Sequence, residues 1–282
     1  MLVAGVRWSF AGKDAGSLNS EELLGRLRTP PAEEQHSPAA HPLFRQAPLA
    51  WLVTEVTATV EETPRVRTLV LDAEGWPGHR AGQHLDVRLT AEDGYQAERS
   101  YSIASAPGEP LAITVERLED GEVSPYLVDE AREGDEFEVR GPIGGYFVWE
   151  GGEDPLFLVG GGSGVVPLMA MIRAADGGAP IRLLYSSRTF EDVIYREELE
   201  SRAGNGLAVF HTLTRGQPPG WTGYSRRIDV DLLREVAWSP AERPHVFVCG
   251  STRFVDAAAD GLLELGYEPG WIKTERFGAT GG

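Results

Sequence analysis

The pattern of apolar residues changes near Glu150, and this change constrains the fold more than any other feature of the chain. Between Trp51 and Trp149, apolar and polar residues alternate in six short segments, 51–60, 65–73, 83–91, 99–106, 111–118 and 135–141. Several short strands at this spacing are typical of a small antiparallel barrel. We therefore predict an antiparallel β-barrel domain over residues 49–150.

After Glu150, short and almost continuously apolar segments alternate with segments of helical pattern. The apolar segments are 156–160, 181–187, 207–214, 245–250 and 270–277, and the helical ones are 165–176, 196–203, 229–236 and 254–266. This alternation is typical of a parallel sheet covered by helices on both faces. We therefore predict an α/β domain with a parallel sheet over residues 151–282.

Two further segments complete the predicted organisation. One helix is expected within the barrel domain, over 124–132, with Ser124 as its N-cap and Pro125 at its first helical position. Residues 1–48 are different in character, because 29–43 are rich in Pro, Ala and Glu and show no sustained period. We expect a flexible extension there, with one short helix over 20–28.

Composition excludes several classes of function. The formal net charge is −17, which argues against nucleic acid and anionic membrane surfaces as main partners. Cys249 is the single cysteine, so this chain alone holds neither a disulfide framework nor an iron–sulfur cluster. No apolar run reaches the roughly 18 residues of a membrane span, and the histidines are not spaced as a metal site. These features predict a cytoplasmic protein without a metal.

A glycine-rich loop lies between the first predicted strand and the first predicted helix of the α/β domain. It carries Gly160, Gly162, Ser163 and Gly164 in a G-x-G-x-x-P pattern, with Pro167 where the common dinucleotide fingerprint has its third glycine. Glycines allow a tight turn and close approach of a ligand, and the helix start favours a pyrophosphate. The loop therefore predicts dinucleotide binding, and a tight turn without a ligand is the alternative.

Arginines follow the predicted strands of the same domain. Arg188 follows the second strand, Arg215 the third, and Arg226 and Arg227 occupy the next loop. Such positions suit a 2′-phosphate, which guanidinium groups bind by charge-assisted hydrogen bonds. NADPH is the predicted nucleotide. The alternative is that these are ordinary surface arginines, and Asp192 near Arg188 keeps NADH open.

The segment "RSYSIASAP" at 99–107 places Arg99, Tyr101 and Ser102 in one strand. Together with "GEVSPYL", "GDEFEVRGPIGGYF", "VGGGSGVVP" and "VFVCGSTRFV", it resembles the ferredoxin–NADP reductase superfamily of flavoproteins over residues 50–282, in a form that has only FAD and no fused iron–sulfur domain. The resemblance implies that Arg99 binds the FAD pyrophosphate, that Tyr101 lies flat against the isoalloxazine, and that Ser102 lies near flavin N5.

The same resemblance implies roles for further residues. Gly121 and Ser124 would contact the pyrophosphate, and Cys249 with Gly250 would align the nicotinamide with the flavin. A small buried residue at a strand end is the alternative for Cys249. Glu275 and Phe277 resemble family residues at the exposed face of the flavin, although the tail lacks the terminal tyrosine of the plant-type proteins. The predicted catalytic residues are Ser102, Cys249 and Glu275, and Phe277 is counted with the cofactor-binding residues.

The predicted function is a flavin-dependent oxidoreductase that passes electrons from NADPH through FAD to a separate one-electron acceptor protein, such as a ferredoxin. The alternatives are the reductase component of a multi-protein oxygenase or other redox enzyme, and a non-catalytic regulatory subunit that binds FAD and nucleotide. Residues 49–150 contain 21 Asp and Glu against 8 Arg. A highly acidic ferredoxin would therefore need a local basic patch for docking.

Overall fold

A computed structural model describes residues 49–277. The predicted extension over 1–48, its short helix and the last five residues of the tail lie outside the described residues. From Ala50 onward, the described residues belong to one compact unit. Within this part of the chain, no helix is both long and apolar enough to cross a membrane.

Six antiparallel strands form the first sheet. They are β1 Leu52–Thr63, β2 Val66–Ala73, β3 His84–Thr90, β4 Gln96–Ser102, β5 Leu111–Glu116 and β6 Glu136–Ile143, in the order β4-β3-β6-β1-β2-β5. Alternate side chains such as Val56, Leu69 and Val139 point inward to a common core. A bridge between Ile103 and Ile113 joins the end of β4 to β5 at the two edges of the sheet. The sheet therefore curls into the predicted barrel.

The helix of the barrel domain differs from the prediction. It begins at Val123 as α1 (Val123–Pro125) and continues as a π-helical segment, Tyr126–Glu130. Ser124 lies inside the first turn, and its Oγ accepts a hydrogen bond from the backbone N–H of Leu118 at 3.1 Å. The prediction that Ser124 is the N-cap is wrong, because its hydroxyl stabilises the loop before the helix.

Five strands form the second sheet, and every neighbouring pair is parallel. They are β7 Leu156–Gly161, β8 Ile181–Ser187, β9 Leu207–Leu213, β10 His245–Gly250 and β11 Ile272–Arg276, in the order β11-β10-β7-β8-β9. These strands are apolar almost without interruption because helices cover both faces of the sheet.

The helices divide between the two faces of this sheet. They are α2 Val165–Ala175, α3 Arg196–Arg202, α4 Val230–Val236 and α5 Thr252–Glu264. Within β7, Leu156 and Leu158 belong to the core that contains α2 and α3, whereas Phe157 and Val159 belong to the core that contains α4 and α5. This arrangement confirms the predicted α/β domain.

The apolar core beneath α2 continues into the barrel domain. It includes Ala104 and Ala112 of the barrel together with Phe147 and Trp149 of the segment that leads to the second sheet. Phe147 packs edge-on against Phe247 of β10, with ring centroids 5.3 Å apart. The two domains therefore share an apolar interface. The carboxyl edge of the parallel sheet lies next to it.

Candidate active site

Two adjoining clefts lie where the barrel meets the carboxyl edge of the parallel sheet. The first has a volume of about 380 Å³ and is lined by Arg99, Ser100, Tyr101, Ser102, Thr114, Glu116, Leu118, Gly121, Glu122, Val123, Ser124, Ser163, Val166, Arg188, Ser251, Glu275 and Phe277. The second has a volume of about 280 Å³ and is lined by Thr63, Arg65, Val66, Glu116, Gly161, Gly162, Ser163, Ser186, Ser187, Arg188, Asp192, Ile194, Thr214, Ser251, Phe254 and Phe277. Five residues line both clefts, so the two clefts are adjacent.

Strand β4 supplies one wall of the first cleft. The guanidinium of Arg99 donates to the carbonyl of Glu98 at 2.6 Å and lies 3.6 Å from the carboxylate of Glu122. Burial raises the pKa of the Tyr101 phenol above its ordinary value, so Tyr101 is neutral at physiological pH. Together with Ser102 at the end of the strand, these side chains offer a cation, an aromatic face and a hydroxyl group.

The loop before α1 supplies the opposite wall. A Cβ atom on Gly121 would lie 2.8 Å from Oγ of Ser124, so the loop packs tightly onto the start of the helix. Glu122 accepts a hydrogen bond from the hydroxyl of Tyr95 at 3.1 Å, which holds its carboxylate beside Arg99. The predicted residues Gly121 and Ser124 therefore line the same cleft as Arg99.

Glu275 brings a buried carboxyl group to the first cleft from strand β11. It is 2% exposed, and burial raises its pKa to about 8. Its Oε2 atom has no hydrogen-bond partner among the described residues. At neutral pH this carboxyl group is mainly protonated, and it can donate a hydrogen bond to a ligand.

The glycine loop forms the floor of the second cleft. Gly162 has φ of +56° and open space beside its Cα atom, whereas a Cβ atom on Gly164 would lie 2.2 Å from the carbonyl oxygen of Cys249. Gly162 and Ser163 line the cleft. Gly160 and Gly164 do not line the cleft. Their missing side chains allow the loop to pack directly against α2 and β10. The loop thus exposes backbone rather than side chains to a ligand.

The predicted arginines are placed differently from one another. Arg188 lines both clefts, whereas Arg215 and Arg227 are not among the residues that line either one. Asp192 lines the second cleft, but its carboxylate accepts hydrogen bonds from the backbone and hydroxyl of Thr189, at 3.0 and 2.9 Å. Asp192 therefore stabilises the turn after Arg188.

Arg65 is a lining residue that the sequence pattern did not indicate. It lies in the turn between β1 and β2 of the barrel and lines the second cleft, which is otherwise built largely from the α/β domain. Its guanidinium donates to the carbonyl of Arg117 at 3.2 Å. A hairpin arginine carries no local signal for this placement, because the cleft lies on the neighbouring domain.

Cys249, Gly250 and Phe277 lie together at the end of β10. Cys249 is fully buried and lines neither cleft, and burial raises the pKa of its thiol well above the ordinary value. The carbonyl of Gly250 accepts a hydrogen bond from the backbone N–H of Phe277 at 3.1 Å. That bond places Phe277 where it lines both clefts. Cys249 thus lies behind the wall of the site as a neutral thiol.

The donors of the first cleft fit a flavin nucleotide. Arg99 can bind a phosphate, Tyr101 offers a ring for stacking, and Oε2 of Glu275 is a buried polar atom that still needs a partner. The second cleft, with its glycine loop and Arg188, fits a pyrophosphate. Within the described part of the chain, no cluster of three His, Cys, Asp or Glu side chains is suited to a metal.

Two family models match the two domains. The oxidoreductase FAD-binding domain matches residues 53–148, and the oxidoreductase NAD-binding domain matches residues 158–260. The fold and the two matches thus define a chain with one domain of the oxidoreductase FAD-binding kind and one of the oxidoreductase NAD-binding kind. The chain belongs to the ferredoxin–NADP reductase superfamily of flavoproteins.

Curated relatives and solved structures agree with this assignment. Ferredoxin–NADP reductase B of Sorangium cellulosum is 36% identical over 208 residues, which cover 70% of this chain and 84% of that protein. The glycine betaine monooxygenase reductase subunit of Pseudomonas aeruginosa is 32% identical over 209 residues, 71% of this chain. The chain spans only 57% of the length of that relative.

The fold matches that of a solved flavin and nucleotide module. The flavohaem-like FAD/NAD-binding domain of the nitric oxide dioxygenase from Vibrio cholerae O1 superposes with a TM-score of 0.72. The match covers 80% of this chain and 98% of that domain at 22% sequence identity. At that identity the likeness shows the shared architecture alone.

Proposed function

We propose that the protein takes electrons from NADPH through FAD and passes them to a separate one-electron acceptor protein, such as a ferredoxin. The observation that carries this proposal is the adjacency of the two clefts. Glu116, Ser163, Arg188, Ser251 and Phe277 line both of them, so a ligand in one lies beside a ligand in the other. Electron transfer between two cofactors needs such proximity.

The first cleft would hold FAD through the side chains of the barrel. Arg99 would bind the pyrophosphate together with Gly121 and Ser124, and Tyr101 would stack on the isoalloxazine. A bound FAD supplies the chemistry of hydride acceptance and of one-electron release. Ser102 offers a hydroxyl group at the end of β4, where it can hydrogen-bond a ring nitrogen.

Glu275 keeps a proton inside the site at neutral pH. Because its carboxyl group is buried and its pKa is raised to about 8, it acts as a hydrogen-bond donor through Oε. Cys249 lies opposite Glu275 in the pairing of β10 with β11, and its neutral thiol adds no second charge next to the carboxyl group. The pair keeps this end of the cleft uncharged, which suits a nicotinamide and a flavin ring.

The second cleft would hold the nucleotide. The backbone of Gly162 and Ser163 would bind the pyrophosphate, and Phe277, which lines both clefts, would separate or cover the two rings. Gly160, Gly164 and Gly250 line neither cleft, and they would support the walls through close backbone packing.

NADPH is proposed over NADH because of the arginines at the strand ends. Arg188 lines the cleft, and the backbone N–H of Arg215 donates to the carbonyl of Arg188 at 2.8 Å. The backbones of the two arginines are therefore adjacent. Arg227 follows in the next loop. A guanidinium pair here would bind the 2′-phosphate that NADH lacks.

The cofactor choice is tested by the double change Arg188→Ala with Arg215→Ala. Loss of two charged hydrogen bonds costs on the order of 3 kcal/mol, so the KM for NADPH should rise about a hundredfold. The KM for NADH should stay within a few fold. Arg234→Ala, an exposed arginine of α4 that lines neither cleft, is the control. Equal weakening of both nucleotides, or a wild-type preference for NADH, would contradict the assignment.

A second candidate is the reductase component of a multi-protein oxygenase. The name of the Pseudomonas aeruginosa relative, a monooxygenase reductase subunit, favours it. Both candidates use the same flavin and nucleotide steps, and they differ only in the protein that receives the electrons. A purified ferredoxin and a purified oxygenase component, offered in turn to the NADPH-reduced protein, would separate the two.

The catalytic proposal itself is tested by anaerobic mixing of the flavin-loaded protein with NADPH. We expect loss of the visible flavin absorbance within seconds, followed by reduction of added ferricyanide over many turnovers. Protein that binds both cofactors without bleaching would instead be a non-catalytic regulatory subunit. Flavin-free protein after reconstitution with FAD would contradict the assignment of the first cleft.

A further inference from the structure

A closed ring of hydrogen bonds joins the barrel to the α/β domain beside both clefts. Its barrel members are Glu62 at the end of β1, Thr68 of β2 and Thr114 of β5, and Thr68 and Thr114 are direct partners across the two strands. Its fourth member is Tyr195, the residue before α3 in the other domain. Thr68, Thr114 and Tyr195 are at most 6% exposed, so water competes little for these bonds.

The hydrogen bonds run from Tyr195 to Glu62 by two routes, one through the hydroxyl groups of Thr114 and Thr68 and one through the backbone N–H of Tyr195. The Tyr195 hydroxyl donates to Oγ1 of Thr114 at 2.5 Å, and Thr68 Oγ1 donates to Oε1 of Glu62 at 2.7 Å. Oγ1 of Thr114 lies 2.7 Å from Oγ1 of Thr68 and donates to it, because the Thr68 proton is already used. The backbone N–H of Tyr195 closes the ring on Oε2 of Glu62 at 3.3 Å. Every hydroxyl group in the ring is therefore satisfied.

Tyr195 adopts an unusual backbone conformation to reach the barrel. Its φ of +58° lies in the left-handed region, which a bulky residue occupies only at a cost in free energy. In return, its side chain is buried between the domains. The Tyr195 ring lies under the guanidinium of Arg173, whose carbon is 5.0 Å from the ring centroid. The contacts of the buried Tyr195 side chain therefore have to offset the cost of this backbone conformation.

Arg173 adds a second bond across the same interface. It lies in α2, the helix that begins at the glycine loop, and it donates to the carbonyl of Ala104 at 2.7 Å, two residues after Ser102. Its other nitrogen atoms pair with the carboxylate of Glu198 on α3 at 2.6 and 3.1 Å. The interface therefore links the helix of the glycine loop with the strand that carries the predicted flavin residues.

The ring reaches the walls of both clefts. Thr114 lines the first cleft, and Ile194, the residue before Tyr195, lines the second. A change at the bond between Tyr195 and Thr114 would therefore move one wall relative to the other. Transfer between two bound rings is sensitive to displacements of about 1 Å.

We propose that Tyr195 is a positioning residue for hydride transfer, because its hydroxyl bond to Thr114 fixes the separation of the two clefts. This inference rests on the proposed function. Tyr195 contacts no ligand in this scheme and acts through the relative placement of the two domains.

The test is Tyr195→Phe in the full chain with FAD bound, followed by anaerobic stopped-flow reduction with NADPH. We expect the limiting rate of flavin reduction to fall about tenfold, equivalent to about 1.4 kcal/mol for one lost hydrogen bond. The apparent Kd for NADPH and the flavin content should stay within twofold. A merely structural role would instead change protein stability and leave the limiting rate unchanged.

Tyr267→Phe is the matched control. Its side chain is also buried, its hydroxyl donates to the carbonyl of Trp238 within the α/β domain, and it lines neither cleft. We expect this variant to reduce its flavin at close to the wild-type rate. Thr114→Val should reproduce the Tyr195→Phe loss, and the double variant should be no slower than either single one.

Three outcomes would overturn the proposal. They are an unchanged limiting rate in Tyr195→Phe, an equal loss in Tyr267→Phe, and additive losses in the double variant with Thr114→Val. A wild-type protein that NADPH does not bleach would refute the proposed function instead. In that case, amide hydrogen exchange of segments 110–116 and 190–199 tests whether the Tyr195–Thr114 hydrogen bond joins the two domains. Faster exchange in Tyr195→Phe than in Tyr267→Phe supports the role of the Tyr195–Thr114 hydrogen bond in joining the two domains, and equal exchange refutes it.

Discussion

The two clefts are built from different parts of the chain. The first relies on side chains, with Arg99, Tyr101 and Glu275 supplying a cation, an aromatic ring and a protonated carboxyl group. The second relies on backbone, because its floor is the loop that contains Gly162 and Gly164. Substitutions that remove a side-chain group should weaken binding in the first cleft. Substitutions that add atoms next to the backbone should weaken binding in the second cleft.

This difference predicts different responses to substitution. In the first cleft, truncation or neutralisation should remove a specific interaction and leave the fold in place. In the second, the smallest added group should displace the loop, while truncation has little to remove. The following predictions test the contrast, starting with the largest effect.

The largest effect is expected at Glu275. Its pKa is raised to about 8 from an ordinary value of 4.5, so the folded state keeps a proton that the unfolded chain releases. Raising the pH between these values therefore favours unfolding, by up to about 1.36 kcal/mol per pH unit, and the loss levels off above about pH 8. We expect Glu275→Gln to remove this dependence and to gain about 5 kcal/mol over wild type at alkaline pH.

Urea unfolding at intervals from pH 5 to pH 9 measures the effect. The repulsion among the excess acidic residues is nearly the same in both proteins, so the difference between them reports Glu275. Glu264→Gln on the exposed face of α5 is the control and should follow wild type. Identical slopes for wild type and Glu275→Gln would show that the carboxyl group is not buried as described.

The next effect is expected at Gly164. A Cβ atom there would lie 2.2 Å from the carbonyl oxygen of Cys249, a backbone atom of a central strand, so the loop must move. We expect Gly164→Ala to raise the KM for NADPH more than a hundredfold, about 3 kcal/mol, while flavin content is retained. Steady-state kinetics and the flavin absorbance of the purified variant measure both quantities.

Gly270→Ala is the control for that variant, since nothing lies within 4 Å of its Cβ position and it is far from the loop in sequence. It should behave as wild type. Loss of flavin together with nucleotide affinity in Gly164→Ala would show that the loop supports both clefts, and the contrast between them would fail.

The smallest effect is expected at Arg99. Arg99→Ala should remove the proposed charged hydrogen bond to the flavin pyrophosphate, worth about 1.5–3 kcal/mol, so the Kd for FAD should rise about tenfold to a hundredfold. Arg117→Ala, whose guanidinium pairs with Asp129 at 2.7 Å outside the cleft, is the control. Fluorescence titration of flavin-free protein with FAD measures the affinity, and unchanged binding would remove Arg99 from the site.

Local pattern was sufficient for the fold. Strands of the barrel bury one face and therefore alternate between apolar and polar residues. Strands of the parallel sheet bury both faces and are therefore apolar throughout. The predicted start of α1 is wrong because the Ser124 hydroxyl can accept either a backbone N–H of the helix or a backbone N–H of the preceding loop. Ser124 fits the N-cap pattern, yet its Oγ accepts the backbone N–H of Leu118 instead.

The composition of the clefts was only partly predictable. Arg99, Tyr101 and Gly162 occur in local motifs, and they line the clefts. Arg65 and Tyr195 belong to no motif, because their roles arise from contacts between elements that are far apart in the chain. The partners Tyr195 and Thr114 are 81 residues apart. A single sequence does not record which turns face the neighbouring domain.

The wall shared by the two clefts has a thermodynamic consequence. Ser163 and Phe277 line both, so occupancy of one cleft changes the surface that the other offers. Linkage requires such an influence to be reciprocal in binding free energy. A nucleotide that binds more tightly to the flavin-loaded protein must retain the flavin by the same factor. The factor by which flavin changes the affinity for the nucleotide would therefore equal the factor by which the nucleotide changes the affinity for flavin.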